Sequence, residues 1–198
     1  MTLPTYDKSK RKKSFEQLPK GAYVIKILGV RREKNSKNEG EHLTIAFDIA
    51  EGEYKGFYNS RFEQSKANSE NTKWPNDAIF YLTIPADNSP QYVTDNWNTF
   101  FADLEDSNNG FVFSGDIAPL KNKIIGGKFA IEQSEWNGKV YNHTKMRWTC
   151  VADDVRNDKA GTLPQDKLIA PGSGSGASRP DANDFIKVPD GTEEELPF

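Results

Sequence analysis

The chain has 198 residues, a formal net charge of -3 and only 35% hydrophobic residues, which suits one domain of ordinary size with unpacked tails. One cysteine and two histidines do not support a disulfide framework or a Cys/His metal cluster, and we expect neither a metal nor a cofactor. Apolar runs fall short of the ~20 residues of a membrane span, and the N-terminus lacks a secretory h-region. A cytoplasmic protein is therefore expected.

Charge is distributed unevenly along the chain. Residues 1–20 hold six basic and two acidic side chains, whereas residues 161–198 hold three basic and seven acidic ones. Such asymmetry is typical of nucleic-acid-binding proteins, although two solvated ends would have the same composition. The predicted organisation is a basic flexible arm over 1–20, a domain over 21–160, a Gly/Ser/Pro-containing linker over 161–189 and an acidic tail over 190–198.

Patterns rich in β-branched and aromatic residues predict strands in the first half of the domain. Residues 22–30, 42–50 and 54–62 are assigned to strands one to three, with Gly56 as a bulge in the third. The short apolar run 78–84 predicts an additional strand, inserted before the helix described next.

The second half predicts a helix and a hairpin. A helix opens at Ser89-Pro90 and ends at Asn108-Asn109-Gly110, with apolar residues at helical spacing. Strands over 124–135 and 140–151 flank Asn137-Gly138, a dipeptide that favours a type I′ turn. Three strands, a helix and two further strands indicate a mainly β fold, a five-stranded OB-type Greek-key barrel with one helix between strands three and four.

Enzyme signatures are weak in this sequence. A Walker-type loop, a dinucleotide-binding fingerprint and a nucleophile elbow are all missing. Glu132 beside Lys128 or Lys139 keeps a metal-dependent nuclease as an alternative, although solvated strand charges explain these residues better. Cys150 is interpreted as a small core residue.

The fifth predicted strand separates into two faces. Its apolar face includes Trp148, which we assign to the core with Trp97, Phe100 and Phe101. Its other face carries Tyr141, His143, Lys145 and Arg147 at period two. Single-stranded nucleic acids bind by base stacking on aromatic rings and by neutralisation of their backbone. The predicted DNA-binding residues are Arg31, Arg32, Tyr58, Arg61, Lys128, Trp136, Tyr141, Lys145 and Arg147. For any one of them, a merely solvated strand face is an equal alternative.

The end of the chain carries the most specific signal. Residues 171–177 are a Gly/Ser-rich stretch, and the chain ends Glu193-Glu194-Glu195-Leu196-Pro197-Phe198. This ending resembles the bacterial and phage single-stranded DNA-binding proteins, in which an OB domain and a Gly-rich linker precede an acidic tail ending in a hydrophobic residue, Pro and Phe. Glu replaces the familiar Asp and Leu the familiar Ile, which keeps charge and apolarity.

The resemblance implies a non-catalytic protein that binds single-stranded DNA with little sequence preference, in replication, recombination and repair. It implies that residues Glu193–Phe198 dock partner proteins of these processes. The basic arm and the extra segment over 63–88 place the chain nearer the divergent phage or prophage versions than the cellular ones. Homo-oligomerisation is left open. The alternatives are the nuclease and an adaptor that binds only proteins through its tail.

Overall fold

A computed structural model of the chain describes residues 17–35, 40–69 and 71–169. The strands are β1 (Gly21–Lys34), β2 (Glu41–Ile49), β3 (Ile79–Thr83), β4 (Ile124–Trp136) and β5 (Lys139–Cys150). The helices are α1 (Phe57–Lys66), α2 (Gln91–Ser107) and the short α3 (Ala152–Arg156). The predicted mainly β fold is thus confirmed. None of the helices in the described part has the length and apolar character needed to cross a membrane.

The five strands form one antiparallel sheet in the order β3-β2-β1-β4-β5. The long central strand β1 pairs with β2 on one side and with β4 on the other, so its buried side chains lie at the centre of the core. Ile27 faces Phe47 across the β1–β2 ladder, and both are fully buried. The alternation predicted for β2 is confirmed, with Leu43, Ile45, Phe47 and Ile49 all in the core.

The predicted third strand over 54–62 is wrong, because this segment turns into helix α1. The backbone turns over residues 51–56, and Gly56, directly before the helix, adopts a left-handed conformation with φ at 73°, which suits glycine. The carboxylate of Asp48 then accepts the backbone N–H groups of Tyr58 at 2.9 Å and Asn59 at 3.2 Å, which satisfies donors at the helix start. The run over 78–84 supplies the third strand instead, as β3.

Helix α2 confirms the predicted helix between the third and fourth strands. Its buried residues Val93, Phe100, Phe101 and Leu104 follow helical spacing. Phe100 packs in a stacked geometry on Phe80 of β3, with ring centroids 6.1 Å apart. Beyond the helix, the Asn108 side chain donates to the carbonyls of Leu104 and Ile124 and so ties the end of α2 to the start of β4.

The β4–β5 hairpin is the longest ladder of the sheet and confirms the predicted turn. Asn137 and Gly138 have φ values of 50° and 71°, the pair of positive angles that a type I′ turn requires. Lys128 pairs with Trp148, but the next residue, Phe129, pairs with Met146, so Arg147 is the extra residue of a bulge. The bulge breaks the alternation of faces along β5.

Chain segments at both ends of the predicted domain pack against this hairpin. Leu18 is only 2% exposed and its carbonyl accepts the hydroxyl of Thr144. Lys167 forms a parallel bridge to Glu132, with main-chain bonds to Ile131 and Gln133 of 2.8 and 2.9 Å. The packed unit therefore extends beyond the predicted limits of 21 and 160.

Candidate functional site

A cleft lies between β3 and β5, the two edge strands of the sheet. It consists of two adjoining cavities of about 400 and 470 Å³ that share Phe80, Tyr81, Asn96, Arg147 and Trp148 in their walls. Residues of both edge strands line the cleft, so the sheet is curved and these two strands face each other. Helix α2 closes the gap between them from below, with Val93 and Phe100 in the wall of the first cavity.

Exposed aromatic rings surround the cleft. Tyr81 on β3 is 52% exposed, Tyr92 at the start of α2 is 66% exposed, and Trp148 on β5 is 50% exposed. The ring of His42 on β2 meets that of Tyr81 edge-on at 5.5 Å. Half-exposed rings at a concave surface offer faces on which planar ligands can stack.

Basic side chains occupy the β4–β5 wall. Lys128 and Arg147 line the first cavity, and Lys145 and Arg147 line the second. Nη1 of Arg147 donates to the carboxylate of Glu132 at 3.0 Å. This wall therefore carries the positive charge, whereas the β3 wall is aromatic.

The floor of the cleft joins α2 to β5 through a partly buried polar contact. The hydroxyl of Thr149 donates to the Asp103 carboxylate at 2.6 Å. Burial raises the pKa of Asp103 above its ordinary value, although the bond from Thr149 and the charge of Lys128 oppose this shift. The helix that carries Tyr92 is thereby tied to the strand that carries Trp148.

The outer face of the hairpin continues the cleft toward the turn. By their register, Lys145, His143, Tyr141 and Trp136 share one face of the β4–β5 ladder. Nε2 of His143 lies 3.0 Å from the hydroxyl of Ser134, and its Nδ1 lies 3.5 Å from Asp77. Tyr141 is 44% exposed and Trp136 is 51% exposed. We call this surface the hairpin face.

The predicted residues fall into three groups. Lys128, Lys145 and Arg147 meet in the cleft, and Tyr141 and Trp136 lie on the hairpin face that extends it. The structure thus brings five of the nine predicted residues to one continuous surface.

The other predicted residues lie apart from the cleft. Arg31 lines a separate apolar cavity of about 380 Å³ under Trp74. Arg32 is bonded to Glu41, and Arg61 is 3.8 Å from Asp77. Tyr58 is fully buried, and its hydroxyl has no hydrogen-bond partner in the described part of the chain. The stacking role predicted for Tyr58 is therefore wrong, because its ring belongs to the core.

Three cleft residues were missed by the sequence reasoning. Trp148 was assigned to the core because strict alternation places it beside Met146, and the bulge at Arg147 moves it outward. Tyr92 stands directly before the buried Val93 at the start of α2, and helical spacing alone does not tell that its ring is exposed. Tyr81 carried a usable signal, since it alternates with the buried Leu82 and shares a face with the polar Thr83.

Two other chemical expectations concern metals and the cysteine. Among the described residues, no group of three or more His, Cys, Asp or Glu side chains is placed to hold a metal ion. Cys150 is buried as predicted, and burial raises the pKa of its thiol to about 11. The thiol is therefore protonated at neutral pH.

Comparison with known proteins adds one similarity. Residues 4–84 are similar to a family described as a protein of unknown function, DUF669. The similar region covers less than half of the chain and ends directly after β3, so it includes the β3 wall of the cleft and not the β5 wall. No curated protein matches this chain. The predicted docking residues Glu193–Phe198 lie outside the described residues.

Proposed function

We propose that this protein binds single-stranded DNA, with little sequence preference, in the cleft and along the hairpin face. The observation that carries the proposal is the combination of three half-exposed rings, Tyr81, Tyr92 and Trp148, with the cations of the opposite wall. Stacking on rings tolerates every base, because each base has a π-face, and cations neutralise the backbone. Such a site needs no catalytic group.

The fold proposed for this site is an OB-type barrel opened between β3 and β5. The strand order and the approach of the two edge strands support it. A five-stranded Greek-key sheet whose edge strands face each other needs only pairing between those edges to close into a barrel. Placement also supports it, because OB folds bind oligonucleotides on one sheet face and between the loops that flank it. The hairpin would be one of those flanking elements.

The dimensions of the surface limit the length of DNA that it contacts. Seven residues of β5 separate Trp148 from Tyr141, or about 23 Å at the usual rise of a strand. A strand stacked as in duplex DNA, with a rise of about 3.4 Å per nucleotide, would place roughly seven nucleotides along this length, and a more extended single strand would place fewer. Site sizes of roughly 4–16 nucleotides are usual for one OB fold.

The test is a comparison of oligo-dT with duplex DNA over a range of salt concentrations. With an oligonucleotide of about 20 nucleotides, we expect tighter binding to the single strand and an affinity that falls as salt rises. Fluorescence anisotropy measures both. Equal or absent binding to the single strand would contradict the proposal. Turnover of the labelled strand with Mg²⁺ or Mn²⁺ would favour the nuclease, and partner binding without DNA binding would favour the adaptor.

We further propose that the acidic tail recruits proteins of replication, recombination or repair. Phe198 is an apolar anchor next to three carboxylates, Pro197 limits the conformational cost of docking, and the charges steer toward a basic partner surface. Removal of an aromatic anchor commonly costs about 2 kcal/mol or more of binding free energy.

The variant Phe198→Ala should therefore lose its partners in pull-downs from a host lysate while its affinity for oligo-dT stays unchanged. Phe185→Ala is the matched control, since it removes a ring from the same region without touching the acidic end. Equal recovery of the same partners by the wild-type and Phe198→Ala proteins would contradict the tail proposal and leave the DNA-binding proposal standing.

A further inference from the structure

The proposed binding cleft contains a carboxylate in its lining, that of Glu132. Glu132 lines the second cavity together with Lys145 and Arg147, and its side chain is 23% exposed. Its Oε2 accepts a hydrogen bond from Nη1 of Arg147 at 3.0 Å. A negative charge beside a site for an anionic backbone opposes binding, because like charges repel at this range.

A second cation reaches the same carboxylate from outside the sheet. Nζ of Lys167 lies 4.0 Å from Oε1 of Glu132, so the two oxygens of one carboxylate face two different cations. Lys167 is held there by its backbone, which bonds to Ile131 and Gln133 of β4. The carboxylate of the preceding residue, Asp166, accepts a hydrogen bond from the backbone N–H of Ile131 and forms an ion pair with Lys20. These two contacts fix the segment further.

The charges then determine what happens when a phosphate arrives. A phosphodiester and a carboxylate each carry one negative charge and both accept charge-assisted bonds from a guanidinium. Arg147 must leave Glu132, at least in part, to bind a phosphate. The carboxylate would then face an incoming anion without its nearest counter-charge, and Lys167 would remain as its other ion-pair partner.

We infer that Glu132 competes with the DNA backbone for Arg147, and that Lys167 reduces this competition by holding the Glu132 carboxylate. The inference rests on the proposed function and concerns the regulation of the same cleft. Glu132 lowers the affinity of the cleft for DNA because it binds Arg147. Lys167 is a positioning residue that acts through Glu132. Lys167 lies within the predicted linker over 161–189, so the docking of this segment on β4 places a linker charge beside the cleft.

The experiment is a double-mutant cycle on oligo-dT binding, with Glu132→Gln, Lys167→Ala and the combination. Exposed ion pairs of this kind correspond to changes of about two- to fivefold. Glu132→Gln should tighten binding by that factor at low salt and by less at high salt. Lys167→Ala should weaken binding about twofold in the wild-type background and have little effect in the Glu132→Gln background.

The control is Glu51→Gln, which breaks a similar exposed pair with Arg156, at 2.6 Å, outside the cleft walls. It should leave affinity unchanged, and thermal melting should show all variants folded. If the wild-type protein does not bind oligo-dT, the proposed function fails and the inference falls with it. If the wild type binds but Glu132→Gln binds equally or more weakly, the inference alone is overturned. An equal loss from Lys167→Ala in both backgrounds would show that Lys167 contacts DNA directly and would overturn its positioning role.

Discussion

The two walls of the cleft differ in chemistry. The β3 wall and the start of α2 present the rings of Tyr81 and Tyr92, whereas the β4–β5 wall presents Lys145 and Arg147. Trp148 belongs to the second wall and adds a ring to the cationic side. Stacking is nearly independent of salt, whereas backbone neutralisation releases counterions and weakens as salt rises. The stacking contribution and the salt dependence can therefore be altered separately, by substitution of the rings or of the cations.

The largest effect is expected from the ring that the bulge turns outward. Trp148→Ala should weaken oligo-dT binding by about 1–3 kcal/mol, roughly 5- to 150-fold in Kd, because a stacking platform is removed. The salt slope should hardly change. Trp136→Ala is the comparison variant, since that ring is equally exposed but lies at the far end of the hairpin face, where we expect a smaller loss of affinity. If the two variants bind with equally reduced affinity, the cleft is not the centre of the site.

The cationic wall should give the next largest effect. The double variant Lys145→Ala with Arg147→Ala should weaken binding by roughly tenfold at low salt. Its slope of log K against log salt should fall by roughly 1.4 in magnitude, or about 0.7 for each phosphate that the variant no longer neutralises. Replacement of the exposed Lys26 and Lys66, which lie outside the cleft walls, is the control. An unchanged slope in the folded cleft variant would assign phosphate binding to another surface.

The basic arm should contribute less than either wall. Deletion of 1–16 removes five cations and two carboxylates and should weaken binding a few-fold at low salt and hardly at high salt. Thermal stability should stay nearly constant. Deletion of 1–18 should destabilise the domain by about 2–5 kcal/mol instead, because Leu18 fills a buried site. Equal stability of the two truncated proteins would contradict the packing of Leu18.

The hydrogen bond from Thr149 to Asp103, which joins the two walls, should show the smallest effect. We expect this effect as a pH dependence of the free energy of unfolding. Burial raises the folded-state pKa of Asp103 above its value in the unfolded chain. The wild-type protein therefore loses stability as pH rises from about 3.9 through the folded-state pKa. Asp103→Asn removes this titration and keeps an acceptor for Thr149, so its stability relative to wild type should rise across the same window. Urea denaturation at several pH values measures the difference, and a difference that shrinks with rising pH would refute the assignment.

The cleft shows how far pattern reasoning reaches at a candidate site. Lys145, Tyr141 and Trp136 could be grouped from the sequence, because their face of the hairpin follows from alternation and from the Asn137-Gly138 turn. Trp148 could not, since the bulge depends on how β5 pairs with β4, and one extra residue reverses the faces beyond it.

Local patterns in the sequence were enough to locate most of the strands and the long helix. A composition rich in β-branched residues located β1, period-two alternation located β2 and the hairpin, and helical spacing located α2. The two periodic patterns reflect which side of one element faces the core. Helix α1 and the cleft, in contrast, depend on contacts between residues that are distant in the sequence. Helix α1 forms where a strand was predicted because Asp48 supplies its first hydrogen bonds from the preceding strand. The cleft exists because β3 and β5, more than fifty residues apart, curl toward each other around α2. No local pattern encodes such an approach, since it arises from the packing of the whole sheet.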